Sequence, residues 1–235
     1  MPPNQVVPAT NRLLNALPPR DREHLLANCE EIELNFGEVL YRPGEPISYV
    51  YFPTGSYISL VTAINGAAGL EVRLTGNEGM LGITLILGVD VSPFHTMVLG
   101  AGPALRMVAP SFLRELEQSP ALQLNLKRYL YVSISQLAQT AACTRFHVVE
   151  DRLASWLLMT QDRAHSDHFH VTHELMANML GVRRVGITKA ANSLQQQKLI
   201  SYRRGDVTIL DRIGLETVSC GCYRIDKETY KRLMG

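Results

Sequence analysis

The sequence has no run of about 18 uninterrupted apolar residues, which is the length that a membrane-spanning helix needs. Its first residues, MPPNQVVPATNR, also lack the apolar core of a secretory signal peptide. Only four residues are cysteine, and their scattered positions do not suggest a disulfide framework. We therefore expect a cytoplasmic protein with reduced thiols and without a membrane partner.

A large net charge is missing as well, since the whole chain carries a formal charge of only +1. The two parts of the chain nevertheless differ. Residues 1–144 contain 9 Lys/Arg and 12 Asp/Glu, whereas residues 145–235 contain 14 and 10. Between residues 182 and 212 there are 7 basic and 2 acidic residues. This asymmetry is typical of a protein in which one domain meets phosphates and the other does not.

Short segments rich in β-branched and aromatic residues fill the chain from Ile32 to Met107, separated by turn signals such as Asn65-Gly66. The turns recur at intervals of about 8–12 residues, a spacing that predicts an all-β barrel or sandwich. The clearest strands are residues 49–52 and 57–61.

A long helix is predicted after Ser119-Pro120, because no Gly or Pro follows until after Cys143 and apolar residues recur at gaps of three and four. Pairing with its copy in a homodimer is the economical explanation of this stripe. The alternative is a helix packed wholly within its own subunit. The predicted dimer contacts are Leu122, Leu126, Leu130 and Leu137.

Residues 171–200 predict two helices joined by a tight turn. Thr172 suits a helix N-cap, and Gly181 suits a turn that needs positive φ. In the second helix Ile187, Ala190, Ala191 and Leu194 form one apolar stripe. The opposite face is polar except for Val185, as expected of a helix presented to the major groove of DNA.

A hairpin follows, with two arginines at its tip, where they can lie along the DNA backbone. Solvated charges on an ordinary bundle helix are the alternative explanation of the basic residues. The combination of cap, glycine turn, basic helix start and hairpin favours a winged helix-turn-helix that binds double-stranded DNA. The predicted DNA-binding residues are Thr172, His173, Arg183, Arg184, Val185, Thr188, Lys189, Arg203 and Arg204.

With these parts in this order, the chain resembles the Crp/Fnr family of bacterial transcription regulators over nearly its whole length. The residues that carry the resemblance are Gly37, Gly44-Glu45, Gly55-Ser56, Asn77-Glu78-Gly79 and 172–200. The resemblance implies an α+β fold with an N-terminal β-roll of the double-stranded β-helix or jelly-roll type. It places this sensor domain at residues 1–118, a dimerisation helix at 119–145 and the winged helix-turn-helix at 146–235.

The same resemblance implies a homodimer on a pseudo-palindromic operator, with no enzymatic activity and with RNA polymerase as an additional candidate partner. It also implies an effector pocket, here at Glu78, Gly79, His95, Thr96 and Tyr129. Members that bind cyclic nucleotides use an arginine against the phosphate, but Ser92-Pro93-Phe94-His95-Thr96 contains none. A neutral histidine cannot replace that bidentate cationic contact. We therefore expect no cyclic nucleotide bound in the usual mode, no cofactor, and an effector of unknown identity.

Two further clusters suggest metal or redox chemistry only weakly. His165, His168, His170 and His173 are equally explained by a polar outer strand face, and Cys220-Gly221-Cys222 by small buried cysteines. We therefore predict no metal site. Two rival functions stay open: a small-molecule or cyclic-nucleotide module that acts through protein contacts, and a metalloenzyme on a cupin-like roll. The latter ranks last because only His95 lies in the strand region.

Overall fold

The computed structural model describes residues 10–64 and 67–235 of the chain. The predicted turn at Asn65-Gly66 lies outside these residues. The described part is a mixed α+β structure with an N-terminal sheet domain, a long helix, and a helical domain that contains a small sheet. No helix in the two described ranges is both long and apolar enough to cross a membrane.

Among the described residues, seven strands form the N-terminal roll, and they are arranged in two antiparallel sheets. One sheet has the order β1-β7-β3 and the other β2-β6-β4-β5. Val50, Phe52, Ile58 and Val98 are fully buried, because alternate side chains on these strands point into the space between the sheets. The strands are β1 (Glu30–Leu34), β2 (Val39–Tyr41), β3 (Tyr49–Pro53), β4 (Tyr57–Ile64), β5 (Ala67–Thr75), β6 (His95–Gly100) and β7 (Gly102–Val108).

Helices close the roll on one side and continue into the long helix. Ser119 caps that helix by accepting a hydrogen bond from the Leu122 amide at 3.0 Å, and Pro120 occupies its first turn, as predicted. The helix has 27 residues and is therefore about 40 Å long. The helices are α1 (Arg12–Asn15), α2 (Pro19–Ala27), a short 3-10 helix (Ile83–Leu87), α3 (Ala109–Gln118) and α4 (Pro120–Phe146).

Two of the four α4 residues that we predicted to contact a partner subunit pack against the roll instead. Leu122 and Leu126 are 1% and 0% exposed and belong to the core of the roll, so their assignment as dimer contacts is wrong. Leu130 and Leu137 are only half-buried. A stripe with helical periodicity shows that a face is buried, but it does not identify what covers that face.

The C-terminal domain is built around α5, whose Leu153, Trp156 and Leu157 are buried in a second core. Its small sheet has the strand order β8-β10-β9. Its elements are α5 (Val149–Ala164), β8 (His168–His170), α6 (His173–Leu180), α7 (Arg184–Gln196), β9 (Ile200–Arg203), β10 (Asp206–Ile209), α8 (Arg212–Val218) and α9 (Cys222–Met234).

Buried polar contacts join the roll to this domain. Glu71 on β5 accepts hydrogen bonds from the Trp156 indole at 2.8 Å and from the Ser59 hydroxyl at 2.5 Å. Arg163 on α5 pairs with Glu78 of the roll at 2.8 Å, and both side chains are nearly buried. These contacts fix α5 against β5, and α5 carries the helix pair described below.

The buried carboxyl group of Glu71 should make stability depend on pH. Burial raises the pKa of Glu71 to about 7, although hydrogen bonds from Ser59 and Trp156 and the charge of Arg163 oppose this rise. The unfolded chain releases the proton near pH 4.5, whereas the folded chain keeps it until about pH 7. The free energy of unfolding therefore falls as pH rises between these values.

Glu71→Gln keeps a donor and an acceptor in place but cannot ionise. It should stabilise the protein at pH 8 by up to about 3 kcal/mol and change little at pH 4.5, as measured by urea unfolding. Glu45→Gln, at an exposed glutamate, is the matched control and should have no pH-dependent effect. An equal effect of Glu71→Gln at both pH values would contradict this role of the carboxyl group.

Candidate nucleic-acid interface

The turn between α6 and α7 has the geometry that the sequence predicted. The Thr172 hydroxyl caps α6 by accepting a hydrogen bond from the Leu175 amide at 3.2 Å. The helix ends at Gly181, which has a φ of +62°, in the left-handed region that glycine tolerates best. The Val182 amide then donates to the Ala177 carbonyl at 3.0 Å, which closes the turn.

The apolar stripe of α7 is buried as predicted. Ile187, Ala190, Ala191 and Leu194 are at most 4% exposed and belong to the core around α5. The far end of α7 is held by Glu150 of α5, whose carboxylate accepts hydrogen bonds from two side chains near the end of α7 at 2.9 Å each. Neither contact covers the opposite face of α7, which is exposed to solvent.

That opposite face is exposed over its whole length. Val185 is 59% exposed, although it is apolar. Arg184 has a carboxylate of Glu174 at 3.9 Å, but both side chains are about 70% exposed, so the pair is worth little and leaves the guanidinium available. Arginine, lysine and amide groups on a helix face can donate hydrogen bonds to guanine and adenine bases in a major groove and to the phosphate oxygens beside it. Its exposed residues are Arg183, Arg184, Val185, Lys189, Asn192 and Gln196.

Two of the predicted DNA contacts also make contacts within the domain. The ring of His173 is half-buried and stacks on Tyr202 at a centroid distance of 4.2 Å. Its Nδ1 lies 3.1 Å from the Thr188 hydroxyl, which in turn donates to the Arg184 carbonyl. Burial, followed by the charge of Arg184, lowers the pKa of His173 below its ordinary value. His173 and Thr188 therefore help to join α6, α7 and β9, and their contact with DNA stays a prediction.

The wing is a hairpin of β9 and β10 with the two-residue turn Arg204-Gly205. Both turn residues have positive φ, +54° and +96°, which is the turn type whose twist matches that of the adjoining strands. Gly205 is required there, since a Cβ atom would lie 2.5 Å from the His170 ring. Arg203 and Arg204 are exposed at the tip, as predicted.

Several of the predicted effector-pocket residues already contact other residues of the protein, and their role in binding an effector stays a prediction. Glu78 is engaged by Arg163, and Gly79 lies against Tyr129, whose hydroxyl would be 1.9 Å from a Cβ atom at position 79. The Tyr129 hydroxyl accepts from the Met80 amide at 2.9 Å. His95 and Thr96 are on β6, where the Thr96 hydroxyl accepts from the Tyr41 amide at 2.8 Å.

A small cavity with a mainly apolar lining lies between β5, α4, α5 and α9. Its volume is about 80 Å³, which suits a few water molecules rather than a nucleotide. Three buried polar atoms on its lining residues have no hydrogen-bond partner among the described residues: Arg73 Nε, Gln136 Oε1 and Asp226 Oδ1.

Sequence reasoning missed contacts between residues that are far apart in the chain. No local pattern connects Glu71 with Trp156, and none connects the Cys220-Gly221-Cys222 segment with Cys143. The histidines of β8, by contrast, are on its exposed outer face, where His168 faces Thr208 and His170 faces Asp206 across the ladder.

Two glycine-to-alanine substitutions in this region should change the stability of the protein in opposite directions. Gly181→Ala should destabilise the fold by about 1–2 kcal/mol, because its φ is positive and the new Cβ atom would lie 2.9 Å from Leu70. Gly186→Ala on α7 should stabilise it by about 0.5–1 kcal/mol, because that site is helical and has nothing within 4 Å. Urea denaturation of both variants checks the signs. A neutral Gly181→Ala would show that the turn has another conformation.

Comparisons with known proteins agree with this architecture. Residues 151–218 match the family of Crp-like helix-turn-helix domains. The chain is 22% identical over 182 residues to a global nitrogen regulator from Nostoc sp., and the match covers 73% of this chain and 81% of that protein. Solved structures share the fold as well, and two of them serve as examples. One is a transcriptional regulator of the Crp/Fnr family from Eubacterium rectale, with a TM-score of 0.68, 17% identity, and coverage of 88% of this chain and 96% of that one. The other is FixK2 from Bradyrhizobium japonicum, with a TM-score of 0.70, 12% identity, and coverage of 82% and 98%. Residues 151–218 are therefore a Crp-like helix-turn-helix domain, and the chain shares its overall fold with solved regulators of the Crp/Fnr family.

Proposed function

We propose that this protein binds a two-fold symmetric DNA operator as a homodimer in the cytoplasm, and that it acts by binding rather than by catalysis. The observation that carries this proposal is the exposed polar face of α7. This face has two arginines at its start, and a buried stripe on the other side of the helix fixes its orientation. A single helix of this kind reads only a few base pairs, so a dimer is needed to specify an operator.

An exposed heptad seam on α4 supports the homodimer. Leu124, Tyr131 and Ile134 are each more than half exposed. Together with Ala138 and Ala141, which are also exposed, they follow gaps of seven, three, four and three residues. Gaps of three, four and seven residues keep these side chains on the side of the helix that faces a second helix in a coiled coil. The two alanines permit the two helices to approach closely. The seam lies on the side of α4 away from the roll core.

Two copies joined along α4 would present two α7 helices to one side of the assembly. For proteins of this kind, the two helices enter successive major grooves about 34 Å apart. The arginines of the wing would then lie along the flanking phosphates and contribute affinity that does not depend on sequence.

Cyclic nucleotide binding in the usual mode is not part of the proposal. The stretch from Ser92 to Thr96 offers no arginine for a phosphate, and Glu78 is committed to an ion pair with Arg163. A ligand at Glu78 would have to break a pair in which both side chains are nearly buried, which is costly. We expect the protein to need no cofactor for binding DNA.

Arginines on α7 and on the wing should behave differently. Arg184→Ala should cost about 1–3 kcal/mol at the preferred operator and relax base preference, because a guanine contact is lost. Arg203→Ala should weaken binding to all duplexes alike and reduce the slope of log K against log salt by about one. Fluorescence anisotropy with the operator and a scrambled duplex distinguishes the two effects.

Arg114→Ala, an exposed arginine on α3, is the matched control and should leave both measurements unchanged. A loss at Arg203→Ala that is confined to the operator, or a uniform loss at Arg184→Ala, would contradict the assigned roles.

The seam on α4 can be tested separately from DNA binding. Ile134→Asp places a charge in the centre of the proposed interface and should convert dimers to monomers in analytical ultracentrifugation. Leu113→Asp is the control, because Leu113 is an exposed apolar residue on α3. Dimers that persist in Ile134→Asp and in Tyr131→Asp would show that α4 is not the interface.

A further inference from the structure

Three cysteines and one histidine converge where the end of α4 meets the start of α9. Cys143 and His147 are four residues apart at the end of α4 and therefore share one side of that helix. Cys220 and Cys222 stand at the start of α9. One ligand atom from each of these four residues lies within 4.8 Å of all the others. The long separation in sequence explains why neither pair alone indicated a site.

The spacing of these atoms suits a single tetrahedral ion. The sulfurs of Cys143 and Cys220 are 3.5 Å apart, and the Cys222 sulfur is 3.4 Å from His147 Nδ1. An ion with metal–sulfur bonds of about 2.3 Å separates two tetrahedral sulfur ligands by about 3.8 Å. A disulfide needs about 2.05 Å between two sulfurs and would leave Cys222 and His147 without a role.

Polar side chains from α4 and α5 contact two of the sulfurs. The Ser155 hydroxyl lies 3.0 Å from the Cys220 sulfur, and the Gln139 amide donates to the Cys222 sulfur at 3.0 Å. Polar donors to sulfur are the usual outer contacts of a thiolate-bound metal, since they offset the negative charge of the ligand set.

We propose that Cys143, His147, Cys220 and Cys222 bind one thiophilic divalent ion, for which zinc has the fitting ligand preference. Three thiolates and one imidazole are a ligand set of structural zinc sites, which have no open position. On binding, the thiol protons are released to solvent. The ion fastens the C-terminal helix to α4 beside the α4–α5 junction, and so ties the helix-turn-helix domain to the long helix.

The test uses the reduced full-length protein after treatment with a chelator, titrated with Co²⁺ and then with Zn²⁺. We expect one equivalent per chain, with the visible absorption of tetrahedral Co²⁺ and a sulfur-to-cobalt charge-transfer band. X-ray absorption at the zinc edge should show three sulfur ligands and one nitrogen ligand. These spectra come from the unaltered chain, so they do not depend on how any variant folds.

Variants identify the ligands. Cys143→Ser, Cys220→Ser, Cys222→Ser and His147→Gln should each weaken Zn²⁺ binding by at least about 100-fold. Cys29→Ser is the matched control, because Cys29 is a half-buried free cysteine in the roll core and should leave binding unchanged.

Several results would overturn the proposal. They are an unaltered chain that takes up no ion, an ion held only by oxygen and nitrogen ligands, an iron–sulfur chromophore, and an equal loss in Cys29→Ser. A Cys143–Cys220 disulfide that forms in place of ion uptake would also overturn it.

Discussion

The buried stripe of α7 decides which side of that helix is free to meet another molecule. Ile187 and Leu194 are fully buried, and each such side chain contributes about 1.5–3 kcal/mol relative to exposure. Rotating the helix by half a turn would expose them and bury Arg184 and Lys189 without partners, which costs more still. The polar face is therefore held outward by the core rather than by contacts of its own, and a preorganised face of this kind suits a rigid partner such as a DNA duplex.

The hydrophobic core that buries the α7 stripe also includes residues of the roll. Through α5, the Glu71–Trp156 hydrogen bond and the Arg163–Glu78 pair link the orientation of α7 to β5. Gly181 lies against Leu70 of β5, so the turn of the helix pair touches the sheet domain directly. A displacement of β5 in the roll would therefore be transmitted through these contacts to α7.

The sequence predicted features that depend on neighbours in the chain. These are the cap at Thr172, the turn at Gly181, the stripe of α7 and the start of the long helix, each of which follows from local geometry. It failed where the outcome depends on what packs against an element. Both sides of α4 are apolar, so its periodicity could not separate Leu122, which faces the roll, from Ile134, which faces solvent. The half-burial of His173 follows from stacking on a wing residue that no local pattern identifies.

The central claim is that the exposed side of α7, in two symmetric copies, reads DNA. It is tested most directly by selecting binding sites for the full-length protein from a random duplex library and sequencing the enriched pool. The account predicts enrichment of two inverted half-sites whose centres are about 10–10.5 base pairs apart. A pool with no enriched sequence, or with a single asymmetric site, would contradict it.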